Sequence, residues 1–162
     1  MTENTFSITS AERAADFKDA AALFRAYAAS LPIDLAYQGF EAELAALPGK
    51  YGPPSGALLL ARGKNGVPLG CAALRAIEPE GCCEMKRLYV MPAERGIGLG
   101  KALVEAILSE AARLGYAEMR LDTLPSMAGA IALYGNFGFK PIPAYYDTPI
   151  AGTVFLAKSL SS

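Results

Sequence analysis

The residues best placed to do chemistry lie in a glycine-rich stretch, Arg95-Gly96-Ile97-Gly98-Leu99-Gly100-Lys101. A strand is predicted just before it, because Leu88-Tyr89-Val90 suits a pleated surface and Pro92 then ends the pairing. A helix is predicted after it, because apolar residues recur at helical spacing from Leu99 to Leu114. Glycines allow close approach to the backbone, and a helix N-terminus attracts anions through its unpaired N–H groups and its dipole. The stretch therefore predicts a phosphate-binding site.

The spacing of the glycines argues against the two best-known phosphate loops. In a P-loop, Gly-Lys is followed by Ser or Thr, but here the chain reads Gly100-Lys101-Ala102, and Arg95 occupies the place of the first glycine. A dinucleotide-binding loop reads G-x-G-x-x-G, and after Gly96-Ile97-Gly98 the third glycine comes one residue too early. Asp122 lies at an acceptable sequence distance for the acidic residue that binds ribose in such proteins. The dinucleotide-binding loop is therefore excluded by the glycine spacing alone.

The rest of the chain predicts the elements that must position this loop. Periodicity and turn signals predict strands at Phe6–Thr9, Ala57–Ala61, Pro68–Ile77, Cys82–Val90, Ala117–Thr123, Phe139–Tyr145 and Thr153–Leu160. They predict helices from a Ser10 cap to about Ala29, from about Tyr37 to Leu47, up to Leu114, and around Tyr134. The order β-α-α-β-β-β-α-β-α-β-β indicates an α/β (α+β) fold, with one mixed sheet between helices in a single domain over residues 1–162.

Composition narrows the classes of function. The chain has 162 residues, of which 52% are hydrophobic and 19% charged, as is typical of a globular domain. A formal net charge of −1 provides no basic field toward nucleic acid or a membrane surface, so we expect neither as a partner. The absence of histidine excludes a His-ligated metal and a His general base. Because the N-terminus lacks an export signal and the three cysteines fit no paired spacing, we expect a cytoplasmic protein with reduced thiols.

Two motifs together resemble those of one enzyme superfamily. Arg95-x-x-Gly98-x-Gly100 is similar to the R/Q-x-x-G-x-G/A pyrophosphate motif of the GNAT superfamily of acetyl-CoA-dependent N-acetyltransferases. Downstream, Ala130 to Phe139 resembles the A-x-x-L-Y-x-x-x-G-F segment of the same superfamily, in which a helix ends at glycine and a strand begins at phenylalanine. Gly138 is a natural residue to follow such a helix. The resemblance extends over about residues 6–160.

The resemblance implies a GNAT-like fold, with a central mixed, mostly antiparallel sheet flanked by helices and a cleft where two strands splay apart. It also implies acetyl-CoA as co-substrate, no metal, and a small-molecule or peptide amine as acceptor. The backbones of Leu88 and Val90 would bind pantetheine amides, and the loop would hold the pyrophosphate. Lys101 would add positive charge at the pyrophosphate or, alternatively, form a surface ion pair with Glu105. One residue departs from the family pattern: Met127 stands where the family often has an asparagine that binds pantetheine. The implied cofactor-binding residues are Leu88, Tyr89, Val90, Arg95, Gly96, Ile97, Gly98, Gly100 and Lys101.

Two side chains are candidates for the proton transfers, because an attacking amine must lose a proton and a departing thiolate must gain one. By resemblance, Tyr134 would protonate the sulfur; its alternative role is packing in the core. Glu84, in the strand Cys82–Val90, is the candidate base. Strict alternation places Glu84 on the same side as Lys86 and Leu88, so a surface ion pair with Lys86 is an alternative, and a water chain could replace the base.

Weaker candidates lie near the end of the chain. Asp122 and Tyr146 are candidate substrate contacts, and Tyr145-Tyr146-Asp147 falls in the last hairpin loop, where packing or a homodimer contact explains it equally well. The resulting hypothesis is an N-acetyltransferase that moves an acetyl group to a primary amine by direct attack of the amine on the thioester. The alternative is a non-catalytic acyl-CoA-binding or sensing domain, which would need the glycine loop but not Tyr134.

Overall fold

The computed structural model describes residues 6–160, apart from the side chain of Tyr37. Residues 1–5, on which the expected absence of an export signal partly rests, lie outside the described residues. The strands are β1 (Phe6–Ser10), β2 (Ala57–Gly63), β3 (Pro68–Ile77), β4 (Cys82–Val90), β5 (Glu118–Thr123), β6 (Lys140–Pro141) and β7 (Val154–Ser159). The helices are α1 (Ala14–Ser30), α2 (Phe40–Ala45), α3 (Leu99–Arg113) and α4 (Ala128–Asn136), with 3₁₀ turns at Leu35–Gln38, Gly49–Tyr51 and Pro92–Glu94. The predicted order of strands and helices is confirmed.

The described strands form one sheet with the order β1-β2-β3-β4-β5-β7-β6. Neighbouring strands run antiparallel except β4 and β5, which are parallel. These two strands pair only where Cys82–Glu84 lies beside Glu118–Arg120. Beyond that point β4 continues to Val90 and β5 to Thr123 without pairing to each other, so the sheet opens in its middle.

Each face of the sheet carries its own apolar core. Helices α3 and α4 pack on one face, where Leu103, Ile107 and Tyr134 are buried with Met119 of β5. Helices α1 and α2 pack on the other face, around residues such as Phe24. Burying one such large side chain contributes about 1.5–3 kcal/mol relative to leaving it exposed. The two cores therefore hold the helices on both sides of the opening against the sheet.

Strand β4 carries a β-bulge beside the opening. Lys86 and Tyr89 pair with β3 on either side of the bulge, while Arg87 and Leu88 together oppose Ala72. Arg87 has a φ of +60°, in the left-handed region that residues other than glycine seldom adopt. A bulge of this kind bends a strand and turns its side chains to new directions.

The bulge corrects the predicted alternation along β4. Strict alternation placed Glu84, Lys86 and Leu88 on one side of the strand. In the structure Leu88 packs against the core under α3, whereas Lys86 donates a hydrogen bond to Gln38 on the opposite side of the sheet. The extra residue at the bulge reverses the faces for the rest of the strand, since the period of a strand is two.

The start of α1 also differs from its prediction. Ser10 does not cap the helix, because its backbone is engaged in β1, where it pairs with Leu59. The helix begins at Ala14 instead, with Arg13 as its N-cap residue. The carboxylate of Asp16 reaches back and accepts a hydrogen bond from the backbone N–H of Arg13, which satisfies one of the unpaired donors of the first turn.

Two further elements are shorter than predicted. The helix expected over residues 37–47 is interrupted at Gly39, whose φ of +69° separates a 3₁₀ turn from the short α2. The strand expected over residues 139–145 is reduced to β6. One more hydrogen bond, from Ile142 N–H to the carbonyl of Phe155 at 2.9 Å, precedes Pro143, which has no N–H to donate. The residues that follow form the loop that carries Tyr145 and Tyr146.

Candidate active site

A groove runs along the opening between β4 and β5. Its outer part lies against the glycine turn and the start of α4, and is lined by Tyr27, Ser30, Leu88, Tyr89, Val90, Arg95, Gly96, Gly98, Leu99, Gly100, Ser126, Met127, Ala128, Gly129, Ala130 and Leu133. Its inner part lies between the separated strands, has a cavity volume of about 70 Å³, and includes Lys86, Asp122 and Tyr134 in its lining. Four residues, Tyr27, Leu88, Met127 and Ala130, line both parts, so the groove is continuous.

The glycine turn shapes the outer end of the groove. Gly96 and Gly98 have φ values of +90° and +83°, and Gly98 is the N-cap residue of α3. A β-carbon on either glycine would meet no other atom of the protein within 4 Å. The backbone is therefore open toward the groove at the positive end of a 15-residue helix, as an anion-binding site requires.

The predicted cofactor-binding residues fall into two groups. Leu88, Tyr89, Val90, Arg95, Gly96, Gly98 and Gly100 line the outer groove. The side chains of Ile97 and Lys101 are exposed and lie outside that lining. Arg95 is anchored rather than free, since its Nε donates to the carbonyl of Val90 at 3.1 Å and its guanidinium lies 5.8 Å from the ring centre of Tyr89.

Tyr134 reaches the inner groove from α4. Its side chain is buried and packs edge-on against Phe139, with 5.8 Å between the ring centres. Burial raises the pKa of the Tyr134 hydroxyl above its ordinary value, and the nearby Tyr27 and Asp122 act in the same direction. The hydroxyl therefore stays protonated through neutral pH, and Tyr134 combines the packing role with the capacity to donate a proton.

Glu84 lies where β4 and β5 still pair, outside the lining of the inner groove. Its side chain is 1% exposed. One carboxylate oxygen accepts from Arg75 Nε at 2.9 Å, and the other accepts from the Tyr145 hydroxyl at 2.5 Å. The partner of Glu84 is thus Arg75 on the neighbouring strand rather than Lys86. The role of Glu84 as base stays a prediction.

Lys86 and Asp122 face each other across the opening, one on each of the separated strands. Lys86 Nζ donates to Gln38 Oε1 at 3.1 Å and lies 3.8 Å from Asp122 Oδ1, while the Tyr146 hydroxyl bonds Asp122 Oδ2. Sequence reasoning named Asp122 and Tyr146 as weak candidates but missed Lys86 as part of the groove. A lysine within a strand that is predicted to be buried could have indicated that its side chain reaches a polar cavity, because lysine is seldom buried without a partner.

A second buried cluster holds the bulge from the side of α2. Arg87 donates to both carboxylate oxygens of Glu43, from Nε at 2.8 Å and from Nη2 at 2.9 Å. Arg87 Nη1 also donates to Gln38 Oε1 at 2.9 Å, and Tyr51 donates to Glu43 at 2.9 Å. This cluster was not predicted, because its partners lie far apart in the chain.

The comparisons with known proteins agree with this geometry. The profile of the Acetyltransferase (GNAT) family matches residues 21–139, which include the glycine turn, both strands of the groove and Tyr134. The chain belongs to the GNAT family. An uncharacterized N-acetyltransferase of Schizosaccharomyces pombe is 41% identical over 161 residues, 99% of each chain. An IAA acetyltransferase of Azospirillum brasilense is 35% identical over 105 residues, 63% of this chain and 67% of that one.

Solved structures show the same GNAT fold. A Klebsiella pneumoniae protein provisionally assigned as an acyl-CoA N-acyltransferase has a TM-score of 0.76 at 29% identity, covering 98% of this chain and 100% of that one. A GNAT acetyltransferase from Staphylococcus aureus has a TM-score of 0.80 at 17% identity, covering 96% and 99%. The central mixed, mostly antiparallel sheet flanked by helices is confirmed as the GNAT arrangement.

As a GNAT protein, the chain is an acetyl-CoA-dependent N-acetyltransferase and catalyses acyl transfer. The groove joins a helix N-terminus, where Gly96 and Gly98 leave the backbone open, to an extended, partly apolar opening between two strands. Across residues 6–160, no cluster of three or more metal-ligating side chains occurs. None of the described helices is both long and apolar enough to cross a membrane. The cytoplasmic location stays a prediction.

Proposed function

We propose that this enzyme transfers the acetyl group of acetyl-CoA to a primary amine of a small molecule or peptide, by direct attack of the amine on the thioester. The observation that carries the proposal is the continuity of the groove. It leads from the glycine turn to an inner cavity in which a protonated tyrosine, a carboxylate and a buried ammonium meet. A binding-only domain would require the outer part of this groove alone.

The outer groove supplies the binding groups. The N–H groups at the start of α3 and the glycine turn suit the pyrophosphate, and Arg95, held by Val90 and Tyr89, adds positive charge at that end. The backbones of Leu88 and Val90 suit the pantetheine amides, because β4 has no strand partner on this side. Ile97 and Lys101 belong to the predicted set as residues of the loop, although their side chains are exposed and do not line the groove.

The inner groove supplies the groups that act on the reacting atoms. Tyr134 is suited to protonate the departing sulfur, because its hydroxyl keeps its proton at neutral pH and lines the cavity. The N–H of Leu88, within the bulge, is suited to stabilise negative charge on the thioester oxygen. Asp122 is favoured over Glu84 as the base that removes the proton of the amine. Asp122 lines the cavity, whereas the carboxylate of Glu84 is hydrogen-bonded to Arg75 and Tyr145.

The proposal is tested by incubating the protein with acetyl-CoA and a panel of primary amines, with thiol release and the mass of the product as readouts. We expect at least one amine to give enzyme-dependent thiol release together with an N-acetylated product. Saturable acetyl-CoA binding without any acetylated product would contradict transfer to these amines.

The role of Tyr134 is tested on any accepted amine with Tyr134→Phe. Phenylalanine keeps the ring and its contact with Phe139 but removes the proton donor, so kcat should fall by about 10- to 100-fold with little change in the KM for acetyl-CoA. The matched control is Tyr116→Phe, which removes a hydroxyl bonded to the Ser55 carbonyl outside the groove. Wild-type kcat in Tyr134→Phe would reduce Tyr134 to a packing residue.

A further inference from the structure

The floor of the inner groove carries an ion pair whose two members are not hydrogen-bonded to each other. Lys86 and Asp122 have side chains 8% and 10% exposed, and both line the cavity. Their charged atoms are 3.8 Å apart, beyond hydrogen-bond distance. The other charged side chains of this region are already paired, since Glu84 is bonded to Arg75 and Arg87 to Glu43.

The hydrogen bonding of the two groups leaves room for a ligand. An ammonium has three donors, and Lys86 Nζ uses one toward Gln38 Oε1 at 3.1 Å. Asp122 accepts from the Tyr146 hydroxyl at Oδ2, and its Oδ1 is the oxygen turned toward Lys86. Buried charges are stable only when they are fully paired and hydrogen-bonded. A ligand that brought both an anion and a hydrogen-bond donor would complete both groups.

One part of the wall above this floor is apolar. Leu31 and Ile33 follow α1, Leu35 begins the next 3₁₀ turn, and Tyr27 closes the side shared with the outer groove. Apolar walls with a few convergent polar groups are the usual form of a small-molecule site. These side chains would contact an apolar side chain of an acceptor.

We propose that the acceptor is a free α-amino acid with an apolar side chain, whose carboxylate binds Lys86 and whose amine is held by Asp122. This inference rests on the proposed function. An α-amino acid carries its amine and carboxylate on one carbon, so the two groups can engage two neighbouring side chains of opposite charge. The amine nitrogen then bonds to the acyl carbon as the carbon–sulfur bond breaks; the amine loses a proton, and the sulfur takes one.

The test compares kcat/KM for leucine, leucinamide and 3-methylbutylamine at saturating acetyl-CoA. These amines share a side chain and differ in the carboxylate. A charge-assisted hydrogen bond to the carboxylate should favour leucine by about 10- to 100-fold over the other two. The ammonium group of leucinamide loses its proton more easily than that of leucine. Between these two substrates, intrinsic reactivity therefore works against the expected preference for leucine.

Variants of Lys86 assign the preference to its charge. Lys86→Met should reduce the ratio of leucine to 3-methylbutylamine to about one, whereas Lys86→Arg should retain a preference for leucine. Lys18→Met, at an exposed position of α1, is the control and should behave as wild type. An unchanged thermal shift with acetyl-CoA would show that the Lys86 variants remain folded with an intact outer groove.

The outcomes separate this inference from the proposed function. If leucinamide or 3-methylbutylamine is acetylated as well as leucine, or if Lys86→Met keeps the preference, the amino-acid assignment is overturned and transfer to amines stands. Selective acetylation of leucinamide would point to a peptide N-terminus and would likewise overturn it. If no amine is acetylated, both proposals fall.

Discussion

Glu84 and Asp122 are two carboxylates on neighbouring strands, but their surroundings differ. Glu84 is covered by Arg75 and Tyr145, whereas Asp122 lines the groove beside Lys86. A general base must come within hydrogen-bond reach of the proton it removes, directly or through one water. Asp122 is therefore the better candidate for the general base, because it lines the groove and Glu84 does not.

We expect Asp122→Asn to lower kcat by about 100-fold, as for loss of a general base, and Glu84→Gln to lower it by less than about 10-fold. Both substitutions keep the size of the side chain. Steady-state kinetics across the pH range on one accepted amine would measure the difference. A larger loss in Glu84→Gln, greatest at low pH where the amine is protonated, would restore Glu84 as the base acting through a relay.

Gly100 offers the cleanest residue-scale test of the anion-binding turn. A β-carbon there would lie 3.7 Å from Leu133 and 3.9 Å from Val90, which are ordinary contacts with two residues of the outer groove. Gly100→Ala should therefore leave stability unchanged or raised by up to about 1 kcal/mol, since alanine favours a helix. Because the pyrophosphate motif accepts alanine at this position, Gly100→Ala should keep most of the affinity for acetyl-CoA. The larger Gly100→Val should lower that affinity by about tenfold or more, because its methyl groups fill the space next to the helix end.

Calorimetric titration would measure this effect, with Gly135→Val as the control, since a β-carbon on that glycine of α4 meets nothing within 4 Å and the residue does not line the groove. Wild-type affinity in Gly100→Val would place the phosphates elsewhere. Gly98 is less suitable for this test, because its φ of +83° would strain any side chain. A loss of binding there would not separate ligand contact from folding.

At the scale of elements, α2 serves to hold β4 in its bulged form. Burial alone would raise the pKa of Glu43, but the hydrogen bonds and charge of Arg87, with Tyr51 and Lys50, lower it below 4.5 overall. Because the folded-state pKa lies below the unfolded one, the stabilisation is complete above about pH 4.5 and is lost as the pH falls through the lowered value. The buried pair thus holds a left-handed residue in place beside the groove.

We expect Glu43→Gln to destabilise the protein at pH 7 by about 3 to 5 kcal/mol, because it leaves the buried Arg87 without its counter-charge. Its stability should also vary less between about pH 5 and pH 3 than that of the wild type. Urea denaturation at several pH values would measure both effects. Glu41→Gln in the same helix is the control, since its ion pair with Arg25 is exposed and should be worth under about 1 kcal/mol. Equal losses in the two variants would contradict a special role for Glu43.

The elements divide clearly into those that local sequence predicts and those that it does not. Strand β4, the glycine turn, α3 and the helix of Tyr134 carry their signals within a few residues, and the structure has them where they were predicted. The bulge at Arg87 has no such signal, since its partner Glu43 lies 44 residues away in the sequence. One inserted residue then reverses the faces of the rest of β4, which is why Leu88 was assigned to the wrong side of the strand.

At the scale of the whole molecule, the opening in the sheet connects the proposed cofactor-binding site with the proposed site of acyl transfer. The parallel pair β4 and β5 is held together at one end and parted at the other, while separate cores on the two faces keep that shape. One end of the opening meets the positive end of α3, and the other reaches the charged floor between the strands. Most of the affinity for acetyl-CoA should therefore come from contacts of its phosphates with the glycine turn.

The most direct test of this claim compares thermal stabilisation by acetyl-CoA, acetyl-dephospho-CoA and S-acetylpantetheine at equal concentrations. A ligand at 100 times its Kd stabilises by about 2.7 kcal/mol, which raises Tm by roughly 5–10 °C for a chain of this size. We predict a shift of this order for acetyl-CoA, most of it retained by acetyl-dephospho-CoA, which keeps the pyrophosphate, and little with S-acetylpantetheine. Equal shifts with acetyl-CoA and S-acetylpantetheine would contradict the placement of the pyrophosphate at the glycine turn.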